Sequence, residues 1–286
     1  MSAKKRPTLA GPVDSMATGE LQGKIRAWLD EQGYPLEMRV ARTFRRAGFR
    51  VLQSGYYRDS ETEAFRELDV VASLDHRIDD LHLRIQFIIE CKSSRSKPWL
   101  MFCSRDATLA PTARVVQRTA SKVGSKALTR LAQRKEIQEL ALFQIVEPPA
   151  YGATQAFTTG SDIVYSALTG VGNAVSARAR ELDNLRSSRN RFCIILFPVV
   201  VVEGRLFSCV LENDASIAIA EAQRGTLLWR NPVAGEPHTI VSILTERAVR
   251  DFADCSIDGA RKLFKLGKSE FENAFPPDLF SLPAVE

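Results

Sequence analysis

"FCIILFPVVVV", Phe192 to Val202, is the longest apolar run in the chain. A membrane span takes about 20 residues, so this run is too short to cross a bilayer. Pro198 sits inside it, and β-branched residues dominate the rest. Both features predict a core strand rather than a helix. The chain has 286 residues, 45% of them hydrophobic, enough for one large core or two smaller ones and too apolar for a disordered protein. The opening "MSAKKRPTLAGPVDSMATGE" is basic but lacks the apolar segment of a signal peptide. Cys91, Cys103, Cys193, Cys209 and Cys255 are scattered and form no C-x-x-C pair, which argues against a disulfide framework or a zinc ribbon. His76, His82 and His238 have no zinc-ligand spacing. These features lead us to expect a soluble, cytoplasmic protein with reduced thiols.

The pattern along the chain predicts one domain over residues 19–286 behind a flexible stretch, 1–18. "ELQGKIRAWLDEQG" has helical spacing and stops at Gly33, and "PLEMRVARTFRRAGF" opens on Pro35 and aligns Leu36, Val40 and Phe44. "FRVLQSGYY", "RELDVVASL" and "LHLRIQFIIECK" read as three strands of a meander, with "DHRIDD" as a turn. In the second strand, alternation puts Leu68, Val70 and Ala72 on one face and Glu67, Asp69 and Val71 on the other. Residues 100–190 read as a mostly helical insertion, containing one short strand at "YGATQAF" and a long helix capped by Ser161 or Asp162. Beyond Arg191 the pattern returns to β. "FCIILFPVVVV", a turn at Glu203-Gly204 and "RLFSCVLEND" read as a hairpin, followed by strands at "TLLWRNP" and "HTIVSILTE" and a closing helix at "RAVRDFADCSIDGARKLFKL". The fold class expected is α/β, a mixed central β-sheet flanked by helices.

The chemistry concentrates at "FIIECKSSRSKPW". On a strand, Ile88, Glu90 and Lys92 point to one side and Ile89 and Cys91 to the other. Charged groups among apolar neighbours cost desolvation energy, and an apolar pair would stabilise a fold as well or better. Asp69 is likewise a carboxylate within an apolar strand. If the two strands pair antiparallel, Asp69 and Glu90 become neighbours. Two such carboxylates repel unless one is protonated or a cation bridges them. Mg²⁺ prefers oxygen ligands of this type, and the backbone carbonyl of Cys91 can complete the protein's share of the shell. Lys92 then lies close enough to orient a water or to stabilise charge developing on a phosphate. Glu37, in the first turn of the preceding helix, can reach the same mouth.

The order Glu37 on a helix, Asp69 on a strand and Glu90-x-Lys92 on the next resembles the PD-(D/E)xK nuclease superfamily, the restriction-endonuclease-like fold. "RELDVVAS" and "IIECKSS…PW" resemble uncharacterised bacterial members, and residues 35–99 carry the likeness. Leu68 stands where the family name has proline. The resemblance implies a restriction-endonuclease-like sheet and Mg²⁺-dependent hydrolysis of phosphodiester bonds, with DNA as substrate in bacterial defence or repair and Mn²⁺ as a substitute ion. It further implies Asp69 and Glu90 as metal ligands, Lys92 as the residue that positions or activates the attacking water, and Glu37 as the helix-borne acid. Cutting both strands of a duplex would favour a homodimer.

Each group also has an ordinary reading. An E-x-K at a strand end is commonly a solvated pair, and Glu37 is an unremarkable acid at a helix N-terminus. Glu67 shares a face with Asp69 in the alternating pattern and could replace it. Arg39, Arg42, Arg45 and Arg46 read as a solvated helix flank or as a phosphate-contacting face. Arg95, Lys97 and Trp99 belong to a loop that contacts a nucleic-acid backbone or to a polar loop with one buried Trp. Cys91 reads as a core residue, since no histidine partners it. The basic stretch 111–135 either tracks a nucleic-acid backbone or is a solvated face. The net charge of +5 is compatible with a polyanion and does not demand one. A catalytically inactive, nuclease-like module that binds nucleic acid or a protein is therefore the alternative.

Overall fold

The computed structural model describes residues 15–59, 63–158, 160, 162–184, 191–230 and 239–274. His238, Ser161, residues 1–14 and the proline-rich tail lie outside them. Two helices open the described chain, α1 (Ser15–Gln32) and α2 (Tyr34–Ala47). Helix α1 thus already includes residues 15–18, assigned to the flexible stretch from sequence. Between the helices Gly33 has a φ of 82°, and beyond them Gly48 has a φ of 108° and closes α2 through its N–H. Left-handed backbone of this kind favours glycine. Leu36, Val40, Ala41 and Phe44 form the buried stripe of α2.

Strands β1 (Arg50–Arg58), β2 (Phe65–Ile78) and β3 (Leu81–Cys103) form the expected antiparallel meander. Most of "DHRIDD" is strand, and only Asp79 and Asp80 turn. There follow α3 (Pro111–Val116), β4 (Thr119–Ala120), α4 (Lys122–Leu131), α5 (Lys135–Gln138), β5 (Ala150–Gln155) and α6 (Ile163–Asn184). The chain ends in β6 (Arg191–Leu211), β7 (Ile217–Ala222), β8 (Arg224–Trp229), β9 (Thr239–Thr245), α7 (Val249–Leu266) and α8 (Lys268–Ala274).

β3 and β6 run parallel from Leu81↔Arg191 to Ser94↔Gly204 and again from Trp99↔Leu206 to Cys103↔Val210. Outward from this pair lie β2 and β1 on one side and β9 and β8 on the other. The apolar run is thus a central strand, and Val199 to Val202 are fully buried. Burial on both faces is why the run does not alternate. One core cluster joins Phe44, Phe49, Phe87 and Phe197 to α2 and α7, and the other joins Ile88, Trp99 and Val200 to α6. The result is a mixed α/β layered fold with helices on both faces of the sheet.

Three further expectations change. First, no hairpin turns at Glu203-Gly204, because β6 continues through it to Leu211. A Cβ on Gly204 would lie 2.3 Å from the Ser94 carbonyl oxygen, so this glycine permits close strand approach rather than a turn. The irregularity falls on β3 instead, where the register breaks between Ser94 and Trp99. Second, residues 100–190, read as a mostly helical insertion, are also part of the sheet. They supply β4 and β5 to the sheet and, in Leu168, Val171 and Val175 of α6, the cover of its second face. Third, alternation in β2 changes phase at Asp69. Val70 and Ala72 lie in the α2-side core, whereas Leu68 packs with Val71 in the α6-side core. Opposite this point Ser54 has a φ of 51°, and Ser54 and Asp69 drop out of the pairing while the register on either side stays the same, a local irregularity in both strands.

Candidate functional site

The β2–β3 ladder ends at Val70↔Ile89. Beyond it β2 stays with β1, while β3 continues alone on that side until β5 joins it at Trp99. Residues 90–98 of β3 therefore border a fork in the sheet. Asp69 and Glu90 flank the point of divergence. The Cys91 N–H, which would otherwise lack a ladder partner, donates to Asp69 Oδ2 at 2.7 Å. Glu90 lies on the α6 side, where its Oε2 is 4.0 Å from where a Cβ on Gly170 would stand. Lys92 Nζ is 2.6 Å from Glu90 Oε1, with side-chain exposures of 30% and 16%. The fork thus brings together Asp69, Glu90 and Lys92, and Glu37 acts on all three electrostatically from the start of α2.

The electrostatics express this crowding. Burial, then the negative charge of Glu90, then that of Glu37 push the Asp69 carboxyl up to about 7, against the pull of the Cys91 N–H and Lys92. Burial and repulsion from Glu67 and Glu90 also raise Glu37. The Lys92 ammonium is raised despite its burial, because Glu90 stabilises the cation by charge and hydrogen bond and Asp69 adds to it. Lys92 is accordingly a fixed positive charge near neutral pH, and the proton-accepting groups of the fork are its carboxylates. Glu67, the other acid of the β2 pattern, adds its charge to Glu37.

The Cys91 side chain is 8% exposed and belongs to the α2-side core, and burial raises its thiol well above the ordinary range. Its role in the fork is confined to its backbone. All five cysteines are free thiols.

Sequence reasoning missed two neighbours of the site. The Tyr57 hydroxyl donates to the Gly170 carbonyl at 3.4 Å, and burial with the nearby charges of Asp59 and Glu90 pushes it up to about 12. Glu203, just past the apolar run of β6, accepts from Ser93 Oγ at 2.9 Å, from Arg39 Nη2 at 2.8 Å and from Arg95 Nη2 at 2.9 Å. Arg39 also donates to Glu246 through Nε at 2.5 Å. Of the α2 arginines, Arg39 is therefore tied into the rim of the fork, while Arg42, Arg45 and Arg46 are exposed. Arg95, Lys97 and Trp99 do not lie in a loop, because β3 continues through them to Cys103, and Trp99 is completely buried. The basic stretch 111–135 divides, with Lys122, Lys126, Arg130 and Lys135 exposed and its other three cations tied into the structure. Arg118 is buried over the Phe197 ring, Arg114 pairs with Glu147, and Arg134 pairs with Glu136 and Glu270.

Among the described residues, no three His, Cys, Asp or Glu side chains stand at metal-ligand spacing, and no helix is long and apolar enough to cross a membrane. The donors at the fork are two carboxylates and the Cys91 carbonyl. That set suits a hard ion such as Mg²⁺, which commonly takes one or two carboxylates and keeps several waters. The upward push on Asp69 is what a divalent cation would relieve. No family model, curated protein or solved structure matches the chain.

Proposed function

We propose that the chain is a metal-dependent nuclease with a restriction-endonuclease-like fold, hydrolysing phosphodiester bonds of DNA. The observation that carries this reading is the convergence of Asp69, Glu90 and Lys92 where β2 and β3 part, with Glu37 facing them. A fold held only by its core has no use for three mutually repelling carboxylates beside a half-buried lysine.

Asp69, Glu90 and the Cys91 carbonyl would hold Mg²⁺ or Mn²⁺. Such an ion polarises the scissile phosphate and lowers the pKa of bound water. The protein's own groups do the rest. The Cys91 N–H fixes the Asp69 carboxylate in the fork. Lys92 places a permanent cation where charge builds up on the phosphate oxygens, and it can donate a hydrogen bond that orients the attacking water. Glu37, whose basicity is raised by burial and by its acidic neighbours, can accept a proton from that water. Arg39 and Arg95, anchored on Glu203, can contact flanking phosphates. Cutting both strands calls for two such centres, so a homodimer is the natural assembly.

Incubation of the purified protein with plasmid, linear duplex and single-stranded DNA, in Mg²⁺, Mn²⁺ or EDTA, tests the reading. Metal-dependent cutting that disappears in Asp69→Ala and Lys92→Ala is expected. A variant that cuts as well as its parent removes that residue from the mechanism.

One observation favours a second reading, a non-catalytic module that binds nucleic acid or a protein. Among the described residues no third acidic side chain closes the ligand set. A titration that finds no Mg²⁺ or Mn²⁺ affinity while DNA binding is intact would select it.

A further inference from the structure

A cavity of about 310 Å³ opens on the α6 side of the sheet, beside the fork. Leu68, Val71 and Ile88 make its apolar wall, and α6 adds Ala174. Leu68 directly precedes Asp69, and Ile88 lies two residues from Glu90, about 7 Å along the strand. Tyr57 borders both spaces, since it lines the cavity and feels the charge of Glu90.

Two polar residues interrupt this wall. Ser73 and Gln86 face each other across β2 and β3, and each is 4% exposed. Gln86 Nε2 donates to Ser73 Oγ at 2.9 Å, while Gln86 Oε1 has no hydrogen-bond partner. A buried amide left half-satisfied weakens a core strand. It is explained if the amide serves something that enters the cavity. Arg50, Arg84 and Arg178 also line the cavity, and no acidic side chain does. Arg84 is paired with Asp75 and Arg178 with Glu181, so the cation the cavity can offer a ligand is Arg50.

We propose that this cavity receives one nucleobase of the strand held at the fork, turned out of its stack, with the Gln86 amide reading the base edge. The inference rests on the nuclease reading and adds a determinant of specificity to it. The features fit a nucleotide in order. The phosphate belongs at the fork and the flat ring lies against Ile88, Leu68 and Tyr57. Gln86, about 13 Å from Glu90 along β3, meets the far edge of the base. The Arg50 guanidinium, on an exposed residue, suits the anionic backbone at the mouth. An amide offers both a donor and an acceptor, which is how Gln and Asn side chains discriminate bases, and an extruded base is read by its edge and by stacking.

The test titrates the full chain with each of the four deoxynucleoside 5′-monophosphates by calorimetry, comparing wild type with Gln86→Leu. The substitution keeps the side chain's size and removes the orphaned Oε1, but it also takes the hydrogen bond from the buried Ser73 Oγ, so Gln86→Leu/Ser73→Ala is run beside it and thermal melting verifies that both variants fold. The expected result is preference for one nucleotide, weakened about tenfold in the variant, with the order among the four flattened. A duplex carrying 2-aminopurine at the preferred position should brighten on binding in Ca²⁺ and should not do so with Gln86→Leu. The inference is overturned if a folded wild type binds none of the four at millimolar concentration, or if Gln86→Leu binds them identically. Cutting that persists with unchanged sequence preference in Gln86→Leu would sink the base pocket and leave the nuclease standing. Nucleotide binding that depends on Gln86, in a protein that cuts nothing with any metal, would sink the nuclease and leave the cavity as a nucleotide site.

Discussion

Asp69 makes a stability prediction that is independent of any catalytic assay. Its carboxyl is raised from 3.8 to about 7 in the folded, metal-free protein. In the unfolded chain it returns to about 3.9. Between these values the folded state holds more protons than the unfolded one, so stability falls as pH rises. The penalty is absent below about pH 4 and complete above about pH 7. At about 1.4 kcal/mol per pH unit, the ceiling is about 4 kcal/mol, and relaxation of neighbouring charges brings the expected value to about 1–3 kcal/mol. Asp69→Asn removes the ionisation while an amide oxygen can still accept from the Cys91 N–H. In EDTA, the Asn variant should match wild type at pH 4 and exceed it by that margin at pH 8. Urea unfolding followed by fluorescence of the buried Trp99 measures both. If the two proteins differ equally at pH 4 and pH 8, or if wild type is the more stable at pH 8, the account of carboxylate crowding at the fork is wrong.

Other substitutions test neighbouring parts of the argument. Lys92→Met leaves Glu90 without its ion-pair partner. Because the Lys92 pKa is raised in the fold, its contribution is present throughout the neutral range and is lost only above its folded pKa. The variant should lose about 1–3 kcal/mol at pH 7 in EDTA, read by denaturant titration, and should not cut DNA. Gly204→Ala forces a methyl group against the Ser94 carbonyl and should cost about 1–3 kcal/mol in the same assay. Phe87→Ala empties the centre of the ring cluster formed with Phe44, Phe49, Phe197 and Phe252. A loss of about 3–5 kcal/mol is expected. Burial pushes the Arg118 guanidinium down to about 9. Arg118→Met therefore removes a buried cation, and differential scanning calorimetry should show a melting temperature unchanged or raised.

The first hundred residues were legible because their signals are local. Pro35 and Gly48 bracket α2, alternation marks β1 and β2, and charged residues inside apolar strands mark the fork. What was not legible depended on partners distant in sequence. Glu203-Gly204 carries the chemistry of a turn, yet Gly204 is small because Ser94 of another strand lies against it. The phase change at Asp69 depends on Ser54 across the ladder. The two residues of β4 are defined by pairing with Leu196 and Ile195, and nothing in "TA" announces them. Periodicity carried helical spacing through Gln117–Ala120, where the chain instead breaks. Ser121 then restarts the helix by accepting the Gly124 N–H. At the site, Asp69, Glu90, Lys92 and Glu37 stood out as charges in apolar surroundings. Tyr57 and Glu203 did not, since a tyrosine in a strand and an acid after one are commonplace.

The long parallel union of β3 with β6 bears on how the protein is made. Its strands are contributed by segments about 110 residues apart, and contacts between remote segments form late and slowly. Glu90 and Lys92 sit on the earlier of the two strands, facing Val200 and Val202 of the later one. A nascent polypeptide that has not yet delivered residue 202 outside the ribosome therefore has its acids and its lysine but no scaffold to hold them together. The fork takes shape only once β6 has followed β3 into the sheet.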